Sequence, residues 1–423
     1  MGGPTLPASV RRLLIAVALI ALTPSAALAQ WRRADSQNFI VYSDGSERSL
    51  RDYTARLERF DALLTSRLGG GQAAEARRLP VYLVGDGRAL RVAVPGLPAG
   101  IDGYYSTSEN DVFAVLVRGE SDDLLLHEYS HHAMARAGNA RYPAWFREGF
   151  AEYFATATVT EGGEASFGLP SQARMRALQQ NRWLPMDQML RADSSLVIDS
   201  EAGRGMFYAQ SWALTHWLLA DTDRVRNLSA YVNAVNGGQD PVEAWQAIFA
   251  MTPDQLTAAL RAHVRGRLTY AKVDIPPISP TITVTPLSPA ADAVLLPAIN
   301  ARAWDPDGVD GPALLETLRT AAGRYPDDPL ALVALGRAEM RWGDQVAAET
   351  ALTRALEREA TNVEGLILMA DLATGRGAAA TDEAEQTRHW DMARDFLRRA
   401  MEADPTDARI YSARNRFRRS GGI

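Results

Sequence analysis

The sequence predicts an α+β protein followed by an all-α extension, on three observations. Strand-like runs end before residue 118, helical periodicity then takes over, and beyond Pro312 a helix-turn-helix phrase returns at a regular interval. The chain has 423 residues, 47% hydrophobic and 23% charged, which supports one or two sizeable cores and excludes a disordered or fibrous protein. The formal charge is −6, and the basic residues, all Arg but for Lys272, form no compact stripe, so nucleic acid is not an expected partner. Cysteine is absent, which removes thiol nucleophiles, Cys-held zinc, iron–sulfur clusters and disulfides. A metal in this chain must be held by His and carboxylates.

Taken in order, Arg11 and Arg12, the apolar run Leu13 to Leu22 and the small-x-small Ala27-Leu28-Ala29 read as a signal peptide over residues 1–29. The run is short for a membrane anchor and is followed by Pro24, and no later segment has the length of a span, so a secreted or periplasmic protein is expected. Asn38 to Ser43 reads as a strand, Leu50 to Leu68 as an amphipathic helix stopped by Gly69-Gly70-Gly71, and Leu79 to Val84 as a second strand. Gly103 to Ser106 and Val112 to Val117, separated by a turn at Ser108 to Asp111, suggest a hairpin. Helical patterns then cover 122–137, 144–156, 171–180, 206–220, 225–236, 241–249 and 253–270. Between Val273 and Pro312 eight prolines fall among Ser, Thr, Ala and Asp, so an extended linker is expected over 273–311, dividing a domain at 30–272 from one at 312–423.

In the last domain, Pro329 to Ala338 and Ala347 to Leu356 form one helix-turn-helix phrase, which returns at Val363, 34 residues after Pro329, and again after Asp404-Pro405. This resembles the tetratricopeptide repeat, with small Gly336 and Ala370 where paired helices approach. The later interval is longer and requires an insertion around Gly375 to Thr381. An unrelated helical bundle is the alternative.

The chemistry concentrates at His127-Glu128-Tyr129-Ser130-His131, inside a helical stretch. A spacing of four puts both imidazoles on one helix face, where they can share a tetrahedral cation, and Glu128 is placed to polarise a water on it. His132, one position on, is turned about 100° away and suits a structural role. His216, His263 and His389 stand alone and read as packed or solvated. Just downstream, the stretch Ala144 to Phe154 places Glu148 and Glu152 one turn apart on a second helix, where the plain alternative is two solvated glutamates.

Together these motifs resemble the gluzincin metallopeptidases, the group of thermolysin and the aminopeptidase N family, whose second motif is a Trp-containing stretch ending in Glu-Gly. The resemblance covers about residues 121–220 and implies a small sheet plus a helical part. It implies that Glu148 completes a His127–His131–Glu148 zinc site, over a gap of 16 residues that is slightly shorter than in commoner members. It further implies that Glu152 orients the first histidine. The segment Met206 to Leu214 resembles the aminopeptidase N stretch in which a helical Tyr donates to the oxyanion, which makes Tyr208 the candidate, with a core aromatic as the alternative. In gluzincins an edge strand beside the zinc helix pairs with substrate, a role open to Gly103–Ser106 or Val112–Val117. The Gly-Ala-Met-Glu-Asn signature that captures a substrate amino terminus is lacking, so endopeptidase is favoured over aminopeptidase.

The expected function is therefore an exported metallopeptidase with one Zn2+ per chain and Glu128 as general base, acting on a peptide or protein, with a protein partner possible on the repeats. One alternative is a non-catalytic binding or assembly protein working through its repeats, its zinc domain structural or vestigial. Another is a metal-dependent hydrolase of non-peptide substrates.

Overall fold

Alternation along Phe39–Ser43 sends Phe39 and Val41 to one face of a strand and Ile40 and Tyr42 to the other, and this sets the layering of the N-terminal half. The computed structural model describes residues 30–69, 78–98, 100–107, 112–137, 142–194, 200–302 and 310–422. The expected signal peptide at 1–29, Gly70-Gly71 and the turn at Ser108 to Asp111 lie outside the described residues.

The chain runs β1 (Arg32–Asp35), β2 (Phe39–Ser43), α1 (Glu47–Leu68), β3 (Leu79–Val84), α2 (Gly87–Ala93), β4 (Gly103–Thr107), β5 (Val112–Val117) and α3 (Asp123–Ala137). Then come α4 (Ala144–Ala155), β6 (Thr158–Val159), β7 (Glu164–Phe167), α5 (Gln172–Gln180), α6 (Met186–Arg191), α7 (Glu201–Leu219), α8 (Thr222–Asn236), α9 (Pro241–Phe249) and α10 (Pro253–Arg265). The remainder is β8 (Ala271–Asp274), β9 (Thr283–Pro286), α11 (Ala291–Arg302), α12 (Gly311–Arg324), α13 (Pro329–Trp342), α14 (Gln345–Arg358), α15 (Val363–Ala379), α16 (Glu383–Ala403) and α17 (Ala408–Arg419).

The architecture is α+β, a mixed sheet with helices and a helical C-terminal region. Six strands lie in the order β4-β5-β3-β2-β1-β9, with β2, β3 and β5 parallel and the other neighbours antiparallel. On one face Phe39, Val41, Val81 and Leu116 pack against α1 and α3 through Leu57, Phe60, Leu125 and Tyr129. On the other, Tyr82, Val84, Phe113 and Val115 pack against α2 and α11. A separate antiparallel sheet, β6-β7-β8, lies beside α1 and α4.

The stretch 273–311, expected as an extended linker, is largely built into these layers. Residues 271–274 pair with β7, residues 283–286 cover the outer edge of β1, and α11 follows despite Pro297 inside it. Burial explains the helix: Leu295 and Ile299 enter the core behind the sheet while Val294 and Ala298 enter that of the C-terminal helices, so both sides of α11 are covered. The helix expected to reach Tyr270 stops at Arg265, capped by Gly266, which frees the following residues for β8.

The C-terminal helices pair α13 with α14 and α15 with α16, and α13 and α15 begin 34 residues apart. A Cβ on Gly336 would fall 2.6 Å from Leu352 Cγ, so glycine permits the close approach of α13 and α14. The expected insertion is absorbed as helix, since α15 has 17 residues and α16 has 21 against 14 in each helix of the preceding pair. The N-terminal ends of α13, α15 and α17 border a cavity of about 460 Å³ whose opposite wall is Ile40, Tyr42, Pro80 and Tyr82 of the sheet. No helix among the described residues is long and apolar enough to cross a membrane.

Two buried polar arrangements tie helices together. Glu364 on α15 meets Arg302 of α11, Arg337 of α13 at 3.1 Å and Arg409 of α17 at 3.4 Å. Burial acts to raise its carboxyl pKa, but the three guanidiniums outweigh that and hold it well below the usual carboxylate range. On α7, His216 Nε2 lies 2.7 Å from the Thr269 carbonyl and must donate there, so its Nδ1 accepts from His263 Nε2 of α10 at 2.8 Å. Two of the three histidines that stand alone in the sequence are thus each other's partner.

Glu364→Gln leaves three arginines around a neutral amide and is expected to cost about 3–5 kcal/mol, read as a lower unfolding midpoint. Burial lowers the pKa of His216, and burial followed by the His216 and Arg224 charges lowers His263 to about 4, against the ordinary 6.5. The unfolded chain therefore binds more protons between pH 6.5 and about 4, and stability should fall as pH drops through that window. Tm measured against pH should show this slope, and His263→Phe should flatten it.

Candidate metal centre

Helix α3 buries Leu125, Leu126, Tyr129, Ala133 and Met134, which leaves His127 and His131 together on a partly open face. The helix is fixed from below by a polar network. Tyr129 donates to Asp61 at 2.7 Å, Arg136 pairs with Asp61, and Asn38 bridges Glu58 at 2.7 Å and Asp61 at 3.1 Å. These bonds join α3 to α1 and to the start of β2, so the helix has little freedom to turn about its axis.

Helix α4 supplies the carboxylates, and its register depends on Gly149. A Cβ there would fall 2.1 Å from Thr215 Oγ1 and 2.3 Å from the Ser211 carbonyl oxygen, so α4 and α7 touch backbone to backbone. The residue before it, Glu148, projects toward the two histidines.

His127 Nε2 and His131 Nε2 are 3.2 Å apart, and Glu148 Oε2 lies 3.3 Å from the first and 3.2 Å from the second. A tetrahedral zinc with bonds of about 2.0–2.1 Å has ligand–ligand edges of about 3.3 Å, so the three atoms already form one triangular face. The donor set, two imidazoles and one carboxylate, suits zinc.

The surrounding charges follow the same logic. Burial opposes a charge on His127, yet its bonds to Glu148 and Glu152 outweigh burial and raise it to about 9. Burial raises Glu148 and Glu152, but the histidines bring Glu148 down to about 2, and His127 with Arg174 bring Glu152 to about 2. Glu128, one residue round α3, has its pKa raised, chiefly by burial and against the pull of both imidazoles. Its carboxyl is thus within electrostatic reach of the whole cluster.

Glu152 Oε1 is 3.2 Å from His127 Nδ1, on the side of the ring away from the ligand triangle. The Tyr208 ring stands edge-on to the His127 ring at 5.9 Å. The structure therefore brings together His127, Glu128, His131, Glu148, Glu152 and Tyr208. His132 turns away and lies beside the Tyr129 ring at 5.6 Å. Of the two hairpin strands, β5 is covered by β3 and β4, whereas β4 is the edge of the sheet and packs against α3. Arg174 was not foreseen: it donates to Glu152 at 2.7 Å and lies over the Tyr208 ring at 4.9 Å. One arginine on an unremarkable amphipathic helix, 22 residues past Glu152, carries no signal that sets it apart from the others.

A family model described as "Protein of unknown function (DUF1570)" matches residues 124–243, a span that contains all six of these residues and Arg174. No curated protein and no solved structure matches the chain.

Gly149→Ala forces α4 and α7 apart against backbone atoms. It is expected to cost about 3 kcal/mol and to displace Glu148, so that Tm and affinity for added zinc fall together.

Proposed function

We propose that this protein is an exported zinc-dependent metallopeptidase that cleaves within an extended segment of a protein substrate. The observation that carries the reading is the triangle of His127, His131 and Glu148 with the glutamate of the same motif, Glu128, beside it. Zinc, when bound, supplies Lewis acidity that polarises a peptide carbonyl and lowers the pKa of an attacking water.

The chain's own residues do the rest. His127, His131 and Glu148 would hold the ion through Nε2, Nε2 and Oε2. Glu128 removes a proton from the water as it attacks the carbonyl carbon, then delivers it to the departing nitrogen. The products are a carboxylic acid and an amine. Tyr208 donates its hydroxyl proton in a hydrogen bond to the carbonyl oxygen as negative charge develops there. The outermost strand β4 takes the substrate backbone by strand addition.

The similarity to gluzincins supports the same reading over the matched motifs. A tetratricopeptide-like character for the C-terminal helices, with a protein partner on them, fits the 34-residue offset between α13 and α15. The alternative of a non-catalytic binding protein with a structural metal leaves Glu128 unexplained, because such a site needs no base.

The test is elemental mass spectrometry of purified protein together with cleavage of an unstructured protein. Wild type should hold about one zinc, His127→Ala none, and Glu128→Gln a full complement with turnover reduced at least 100-fold. A chain that takes up no zinc on reconstitution, or a Glu128→Gln protein of normal activity, overturns the reading.

A further inference from the structure

Arg174 lies outside the sequence motifs, yet its surroundings are built around the metal centre. The loop before it is pinned twice: Gly168 N–H donates to the Tyr153 carbonyl of α4 at 2.9 Å, and Trp212 Nε1 of α7 donates to the Gly168 carbonyl at 3.0 Å. Gly168 has φ +106, and a Cβ there would meet the Tyr153 ring at 2.9 Å, so only glycine fits this close passage. Ser171 then caps α5 by accepting from Arg174 N–H at 3.3 Å, which fixes the backbone from which the guanidinium extends.

The guanidinium reaches both sides of the site. It donates to Glu152 Oε1, the oxygen that also faces His127 Nδ1, and it covers the Tyr208 ring, whose edge returns to His127. Arg174, Glu152, His127 and Tyr208 therefore form a closed circuit. Glu152 is almost fully buried, and a buried carboxylate needs charge compensation and more than one donor to hold a single orientation. His127 supplies one N–H and Arg174 supplies another.

We infer that Arg174 is a positioning residue, acting through Glu152 to aim His127 Nε2 at the ion and through its ring contact to hold Tyr208 over the same point. This rests on the metallopeptidase reading and adds a residue that neither motif contains. Its consequence is a division of effects. Loss of Arg174 weakens the ion's hold through Glu152, whereas the Tyr208 contact bears on turnover of the loaded protein.

Zinc affinity, measured by competition with a chromophoric chelator, tests it on the full chain. Arg174→Ala is expected to weaken zinc about 10–100-fold. Arg174→Lys should recover most of that affinity, because an ammonium also compensates Glu152, but less of the turnover, because it does not cover the Tyr208 ring as a plane does. In a Glu152→Gln background, removing Arg174 should add little further loss of affinity, since both act on His127 through one bond. The d–d absorption of the cobalt(II)-substituted protein should shift in Arg174→Ala and in Glu152→Gln alike. Equal zinc affinity in wild type and Arg174→Ala, or fully additive losses in the double variant, overturns the assignment while the metal centre stands. Failure of wild type itself to bind zinc overturns the metallopeptidase reading instead.

Discussion

The contact on which the site depends is the meeting of α4 and α7 at Gly149. Side chains from two helices that are to share an ion must agree within a few tenths of an ångström, and here that agreement comes from backbone lying on backbone. A larger residue would require a compromise in tilt or register. With glycine, α4 settles against Ser211 and Thr215, Glu148 falls beside both histidines, and Glu152 falls one turn deeper behind His127. The polar network of Asn38, Glu58, Asp61, Tyr129 and Arg136 does the corresponding work for α3, using hydrogen bonds where α4 uses contact. The ligand triangle is therefore the intersection of two separately fixed helices.

Electrostatic arrangement at the site follows a simple rule. Two acids of the site are each met by two bases: Glu148 by His127 and His131 of α3, Glu152 by His127 of α3 and Arg174 of α5. The same rule recurs far away at Glu364, where three arginines from three helices converge. In both places the acid joins side chains carried by different elements. A hydrophobic contact would join them as well but would not fix their rotation.

What could be read in the residues divides by range. The histidine pair was legible because it is local: one helical turn separates the two imidazoles, so spacing alone puts them on one face. Glu148 and Glu152 were singled out through the resemblance of their motif, because spacing alone puts the two on one helix face without saying what that face meets. Arg174 was invisible, because its role is set by a loop pinned between α4 and α7 and by nothing in its own helix. The α+β order and the 34-residue offset were legible from periodicity. The fate of residues 273–311 was not. The four-residue strand at Thr283–Pro286 exists only through its non-local partner β1, and α11 is helical around Pro297 because two cores claim its two sides. Composition reports the prolines and is silent about both cores.

The placement of β9 reaches beyond architecture into the order of assembly. Arg32 pairs with Pro286, so the sheet's closing ladder joins residues about 250 positions apart, whereas the candidate ligands from His127 to Glu148 lie within two successive helices. In a chain made or delivered from its N-terminus, β1 waits with a bare edge until β9 arrives, long after α3 and α4 have met. The charged side chains of Arg32, Arg33 and Asp35 sit on that strand, and such residues discourage other chains from pairing with it meanwhile. The strand that completes the sheet thus also sets the interval during which this protein is most exposed to mispairing.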